Sequence, residues 1–176
     1  IQKRTGSASD WNIQHHQMMT SSTGKILFTT AGVVASSTPY MHNATATTFE
    51  PIYTNVPCIS YCWAEIEGYS KFGSYVGNNS ADGTFVYCGF KPAWVMVKSS
   101  TSASNWLITD NARNSTNPVD LDFYANLHNA EVQYARFDYV SNGFKVRNTS
   151  SEMNTNNATY IFMAFAESPF QTANSK

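Results

Sequence analysis

Lys3-Arg4-Thr5-Gly6-Ser7-Ala8-Ser9-Asp10-Trp11-Asn12-Ile13 is written again, 95 residues on, as Lys98-Ser99-Ser100-Thr101-Ser102-Ala103-Ser104-Asn105-Trp106-Leu107-Ile108. The shared pattern is K-x-x-x-S-A-S-[DN]-W-x-I. A second pair of segments keeps the same order: Ile59-Ser60-Tyr61-Cys62-Trp63-Ala64-Glu65 and Ile161-Phe162-Met163-Ala164-Phe165-Ala166-Glu167, 102 residues apart. Two matches in one order are the signature of a repeated unit. The chain divides accordingly into a first β repeat over 1–67, a connecting hairpin over 68–92 and a second β repeat over 93–176.

Each copy reads as a strand, a polar hairpin, a strand carrying Trp, and a long hydrophobic closing strand. Alternation puts Trp106 and Ile108 on one face, as it does Trp11 and Ile13. A Trp in that setting buries on the order of 200 Å² and anchors a small core. Ile1 aligns with Met96, so the first copy has no counterpart of Gly89-Phe90-Lys91-Pro92-Ala93-Trp94-Val95. Its first strand is cut partway, which predicts a longer parent chain whose further residues, or another chain, complete the sheet edge.

Working outward, short β-branched or aromatic runs recur between Gly, Pro, Asn and Ser clusters. They include Ile26–Thr30, Ile52–Thr54, Ile59–Glu65, Phe72–Val76, Thr84–Cys88, Ala93–Lys98, Asn105–Thr109, Arg136–Val140, Phe144–Arg147 and Thr159–Ala166. Helical evidence is confined to Asp120–Val132, whose Asn content argues equally for loop. The expected fold is all-β: two related β-sandwich-like halves from an internal duplication.

Composition agrees. The 176 residues include 42% hydrophobic and 14% aromatic residues, ample for a core, and only 13% charged ones. With 11 Lys+Arg against 12 Asp+Glu the net charge is −1, which excludes the dense basic patch of a nucleic-acid binder. No apolar run approaches the roughly 20 residues of a membrane-spanning helix, so no membrane insertion is expected. Solubility rests instead on 55 Ser, Thr and Asn residues.

Chemistry is sparse. Cys58 and Cys62, four apart in an extended run, stand ~13 Å from each other, too far for a disulfide. Cys88 is left to pair with one of them or, as burial statistics favour, to join them as buried free thiols. His15 and His16 point to opposite faces of a strand and cannot share a metal. Asp110, Asp120 and Asp122 match no calcium loop. Neither metal nor cofactor is expected. Glu65 and Glu67 lie on one side of a strand, and a retaining glycosidase needs two carboxyls ~5 Å apart. But the third acid of such a strand is Ser70 here, and Pro169 stands opposite Glu67 in the second copy. An enzyme is not expected. Five Asn-x-Ser/Thr triplets begin at Asn43, Asn78, Asn114, Asn148 and Asn157, and composition alone accounts for several. Glycan contact is the sharpest binding idea, since sugars are held by aromatic faces with planar amide and carboxylate groups. Tyr75, Asn78, Asn79, Asp82 and Tyr87 cluster around one predicted hairpin, and Tyr40, His42 and Asn43 offer a second group.

Gly68–Asn78, Gly89–Lys98, Trp106–Asp110, Ser141–Phe144 and Tyr160–Phe170 together carry a family resemblance. The chain resembles a repeated C-terminal module of virion proteins from tailed bacteriophages, especially phages of marine bacteria and cyanobacteria. In that family the module often follows a lectin-like β-sandwich on tail-fibre or appendage proteins. The resemblance implies a structural protein at the virion surface, displayed on a fibre and contacting host glycan. It also implies a homo-oligomer, with a trimer favoured, joined to other virion proteins. The alternatives are a capsid-decoration or head-fibre protein and a lectin-like carbohydrate-binding module.

Overall fold

A computed structural model describes residues 1–5, 11–15, 24–29, 33–35, 41–42, 48, 50–51 and 55–169. Tyr40, Asn43, His16 and the predicted strand at Ile52–Thr54 lie outside them. Among the described residues there is no helix. The first strands are β1 (Gln2–Arg4), β2 (Asn12–Ile13), β3 (Gly24–Leu27), β4 (Val33–Ala35), β5 (Met41–His42), β6 (Glu50–Pro51) and β7 (Cys58–Ser60). Then follow β8 (Ser70–Val76), β9 (Phe85–Tyr87), β10 (Pro92–Ser99) and β11 (Leu107–Asp110). The last are β12 (Val119–Tyr124), β13 (Val132–Val140), β14 (Gly143–Val146) and β15 (Thr159–Ala166).

They form a five-stranded sheet, β4-β3-β2-β1-β7, an eight-stranded sheet, β8-β15-β10-β11-β12-β13-β14-β9, and the small pair β5-β6. The all-β expectation holds. The second half, however, is one sheet that rolls back on itself, where two sandwich layers were expected. Tyr75 of β8 meets Phe144 of β14 edge-on at 6.1 Å, although these strands sit near opposite ends of the sheet order. Register shifts between Pro92 and Trp94, and between Val119 and Leu121, sharpen the twist that makes this possible. Residues 68–92 are likewise not a connecting hairpin. β8 pairs with β15 and β9 with β14, so this segment supplies both edges of the rolled sheet.

Alternation along β10, β11 and β15 fills two cores. Val95, Val97, Leu107, Tyr160, Phe162 and Ala164 point into the roll with Phe137, Phe144 and Val146. Met96, Trp106, Ile108 and Ile161 point out and pack with Ile13 of the five-stranded sheet. Trp106 is 2% exposed, stacks on Phe28 at 5.5 Å, and donates its indole N–H to the Leu27 carbonyl at 3.3 Å. Trp11 is only half-buried, lying against Tyr61 with the Lys3 ammonium over its ring. One Trp anchors the inter-sheet core and the other borders solvent.

Asp120–Val132, read as helix or loop, begins within strand β12 and continues to Glu131 outside regular structure, with the Ala125 N–H still bonded to the Trp106 carbonyl at 2.9 Å. Tertiary pairing decides it: Arg136 on β13 grips Asp122 through two hydrogen bonds of 2.9 and 3.0 Å, both side chains buried. Of the three thiols, all free, Cys88 is buried, Cys58 intermediate and Cys62 exposed, so the core-filler reading holds for Cys88 alone. Three of the Asn-x-Ser/Thr triplets have a local role. Asn78, Asn114 and Asn148 each accept the N–H two residues on, from Ser80, Thr116 and Ser150. These are Asx turns, which explains the motif as loop chemistry.

The Ser-rich hairpin between β10 and β11 closes over a buried cation. Lys98 donates to the Ser104 carbonyl at 2.7 Å and its hydroxyl at 3.2 Å. Burial pulls its pKa from 10.5 down to about 8. The unfolded chain therefore holds this proton more tightly, and stability rises as pH climbs from about 8 towards 10.5. That gain is expected in wild type and absent in Lys98→Met. Urea denaturation of both at neutral and alkaline pH reads the difference and cancels the titration of Cys88 and the tyrosines.

Candidate functional site

The rolled sheet stops short of closing. β8 and β9 face each other across a cleft of about 500 Å³, lined by Lys71, Phe72, Gly73, Ser74 and Tyr75 on one wall and Phe85, Val86 and Tyr87 on the other. Phe162 forms the floor, and Glu65 stands at the side. Among the described residues β9, a three-residue strand, pairs with β14, and no ladder joins it to β8. At one end the Thr84 hydroxyl donates to the Val76 carbonyl at 2.7 Å and ties the walls together.

On the β8 wall Phe72, Gly73 and Tyr75 are buried while Ser74 and Val76 are exposed. Gly73 lies opposite Phe162 in register, and a Cβ there would meet the Phe162 ring at 2.7 Å, so the missing side chain lets the ring form the floor. On the β9 wall Phe85 and Tyr87 are 45% and 63% exposed while Val86 between them is buried. Two aromatic rings are thus presented to solvent beside a polar pair, Lys71 bonded to Glu65.

Of the five residues nominated for glycan contact, the cleft collects two. Tyr87 offers an exposed ring. Tyr75 lies in the wall, but its ring stacks on Tyr160 at 5.3 Å and its hydroxyl donates to the Met153 carbonyl at 2.8 Å. Burial raises its pKa well above the ordinary phenol value, so it is a core residue, unavailable as a ligand donor. Asn78, Asn79 and Asp82 sit in the loop between β8 and β9 and are not among the lining residues. Asn78 and Asn79 are held by Asn154, whose side-chain oxygen accepts the Asn78 N–H and whose carbonyl accepts the Asn79 N–H, both at 2.9 Å. Asp82 pairs with Lys145 and lies 3.6 Å from Arg147, and the Lys145 hydrogen bond draws its carboxyl below the usual range.

Sequence reading missed Lys71, Ser74 and Phe85. The i, i+2 spacing of Phe85 and Tyr87, which puts both rings on one face of a strand, was the available signal. Glu65, read as an acid-pair candidate, is the one carboxylate among the described residues lining the cleft, and Lys71 pairs with it. Burial pushes the neighbouring Cys88 thiol up to about 12, so it stays protonated. Among the described residues no three His, Cys, Asp or Glu side chains come together as a metal would require. Asp110, Asp120 and Asp122 are dispersed onto Arg113, Asn114 and Arg136 respectively.

A family model described as a domain of unknown function, DUF7483, matches residues 1–169. The chain belongs to that family. No curated protein and no solved structure matches it. The DUF7483 match spans both large sheets, so the five-stranded sheet and the cleft-bearing roll fall inside one family unit.

Proposed function

We propose that this DUF7483 chain is a structural and adhesive module of a tailed-phage virion surface, built from a duplicated β unit, that holds host glycan in the β8–β9 cleft. The carrying observation is the open seam itself, where the Phe85 and Tyr87 rings stand across from Ser74 and the Lys71–Glu65 pair. Rings that accept the C–H face of a sugar, beside groups that bond its hydroxyls, make a binding surface. Among the described residues lining the cleft one carboxylate stands, Glu65, paired with Lys71, so these residues hold no acid pair. A virion-surface location draws its support from the sequence resemblance and from a surface made polar by uncharged side chains.

Registers support the duplication. Gln2 faces Asn12, and 95 residues on Val97 faces Leu107. Lys3 faces Ile59, and Lys98 faces Ile161. Ile13 faces Ile26 as Ile108 faces Phe123, and Lys25 faces Val34 as Asp122 faces Val132. The Thr5 hydroxyl donates to the Pro57 carbonyl at 3.0 Å, and the Ser100 hydroxyl does the same to Thr159. In this reading β7-β1-β2-β3-β4 repeats as β15-β10-β11-β12-β13, and β8, β9 and β14 are additions that create the cleft.

Tyr87→Ala is expected to weaken glycan binding about tenfold or more, consistent with the ~1.4 kcal/mol that a tenfold change represents. Titration of polysaccharides selected on a glycan array reads the loss, with the fold checked by circular dichroism. Binding unchanged in both Tyr87→Ala and Phe85→Ala would remove the cleft from the proposal. Density for the chain on an intact particle distinguishes a fibre from a head decoration.

A further inference from the structure

The closing strands of the two halves differ on one side. β15 lies inside its sheet, between β10 and β8, whereas β7 ends the five-stranded sheet with β1 beside it. The Thr5 N–H donates to the Pro57 carbonyl at 2.9 Å, and Tyr61 exchanges two hydrogen bonds of 2.8 Å with Ile1. Antiparallel pairing alternates, so Cys58, Ser60 and Cys62 turn their N–H and carbonyl groups the other way. Among the described residues those backbone groups have no partner. The edge is also open, since every residue from Ile59 to Glu67 is exposed. The free stretch stops at Ala64, whose carbonyl accepts the Ser70 hydroxyl at 2.8 Å. A row of unpaired donors and acceptors at strand spacing is a template for pairing.

We infer that an extended polypeptide strand from another chain adds to this edge, antiparallel to β7, as β8 adds to β15. The inference rests on the duplication within the proposed function and is independent of glycan contact in the cleft. In the second half, 102 residues on, Tyr160, Phe162 and Ala164 hold the places of Cys58, Ser60 and Cys62. They face Tyr75, Gly73 and Lys71 of β8. Bonds of 2.9 Å from the Gly77 N–H to the Ala158 carbonyl and from the Ala166 N–H to the Tyr69 carbonyl fix that phase. Both closing strands thus turn the same alternate backbone groups outward, and an extended backbone is the ligand with donors and acceptors at that period. The chain's own β8 is already engaged by β15, so the strand comes from elsewhere. Side chains add selectivity. Phe72 of β8 meets the Phe165 ring edge-on at 6.2 Å. Trp63 stands in the place of Phe165 and is 46% exposed, so the added strand carries a large apolar residue where β8 has Phe72.

Hydrogen exchange of the whole chain, read residue by residue, is the test, with an end-blocked peptide of the β8 sequence, Gly68–Gly77, as the added strand. Without peptide the Cys58, Ser60 and Cys62 amides are expected to exchange freely, while the Tyr61 amide is protected by its bond to Ile1. Saturating peptide is expected to slow those three amides about tenfold or more. Methylation of the peptide nitrogen at Gly73, on the pairing edge, is expected to abolish binding, and methylation at Ser74, on the far edge, to spare it. In the protein, Ser60→Pro removes an outward N–H and leaves the β1 ladder whole, a place where an edge strand tolerates proline. The fold is expected to persist while peptide affinity falls about tenfold or more, the ~1.4 kcal/mol of that ratio. If Ser60→Pro unfolds, the two methylated peptides decide the matter with the wild-type chain. Amides left unprotected, equal binding of a scrambled peptide, or indifference to which nitrogen is methylated overturns the inference. So does peptide that pairs with β15 and displaces β8, which leaves the β7 amides exchanging freely. Failure here leaves the matching registers of the two halves as they are, and Tyr87→Ala is expected to take up the peptide as wild type does, so edge, duplication and cleft are told apart.

Discussion

Arg136→Met is expected to cost about 3–5 kcal/mol of folding stability, because it strands a buried carboxylate. Asp122 is fully buried, and Arg136 is its partner through two hydrogen bonds of 2.9 and 3.0 Å. Burial works against the guanidinium charge, but the Asp122 hydrogen bonds outweigh it and hold the Arg136 pKa above its usual value. The pair anchors a wider network. Arg136 lies 3.6 Å from Glu152, which accepts the Tyr124 hydroxyl at 2.6 Å and the Asn105 amide at 3.2 Å. Glu152 belongs to the turn whose next residues, Met153 and Asn154, hold Tyr75 and the loop ahead of β9. Loss of the arginine therefore reaches the cleft through the 152–154 turn. Urea unfolding at an unchanged slope reads the cost. Asp122→Asn in the Arg136→Met background is expected to recover part of it, since the orphaned charge is then gone. A loss below about 1 kcal/mol, the level of an exposed pair, would mean that water reaches this site.

Gly143→Ala is the second large effect. Gly143 pairs with Tyr87 between β14 and β9, and a Cβ there would be driven into the Val86 carbonyl oxygen. Backbone cannot step aside as a long side chain does, so the overpacking cost is expected to reach about 3 kcal/mol. The cheapest relief is to release β9, a three-residue strand with one neighbour. That would lift Phe85 and Tyr87 off the cleft and uncover Cys88, which is 5% exposed in the native fold. The expected readout is loss of glycan binding together with faster reaction of one additional thiol, beyond the exposed Cys62, with a disulfide reagent. Wild-type thiol kinetics in the variant would show that β9 stays seated.

The Trp-bearing hairpins were legible because they are local. Lys98–Ile108 carries its own strand signals, turn residues and side-chain bonds, such as Ser104 to Lys98, within eleven residues. Thr159–Ala166 was read to the residue because it is an aromatic and β-branched run of eight between Asn156-Asn157 and Ser168-Pro169. The cleft was half legible. Tyr75 and Tyr87 are twelve residues apart and were grouped as a hairpin, whereas they reach the same cleft by pairing with β15 and β14 at opposite ends of a sheet. Nothing local separates a Tyr whose hydroxyl finds Met153, 78 residues away, from one that finds solvent.

Period-two alternation and turn chemistry act between neighbours, so the residues alone determined that this chain is β, that 98–108 shares the pattern K-x-x-x-S-A-S-[DN]-W-x-I with 3–13, and that Trp106 shares a face with Ile108. Which edges stay open, which Trp is buried, and whether Glu65 meets another acid or Lys71 depend on contacts between distant segments. Those are set by how far a twisted sheet rolls before its strands run out, and only the folded chain decides that.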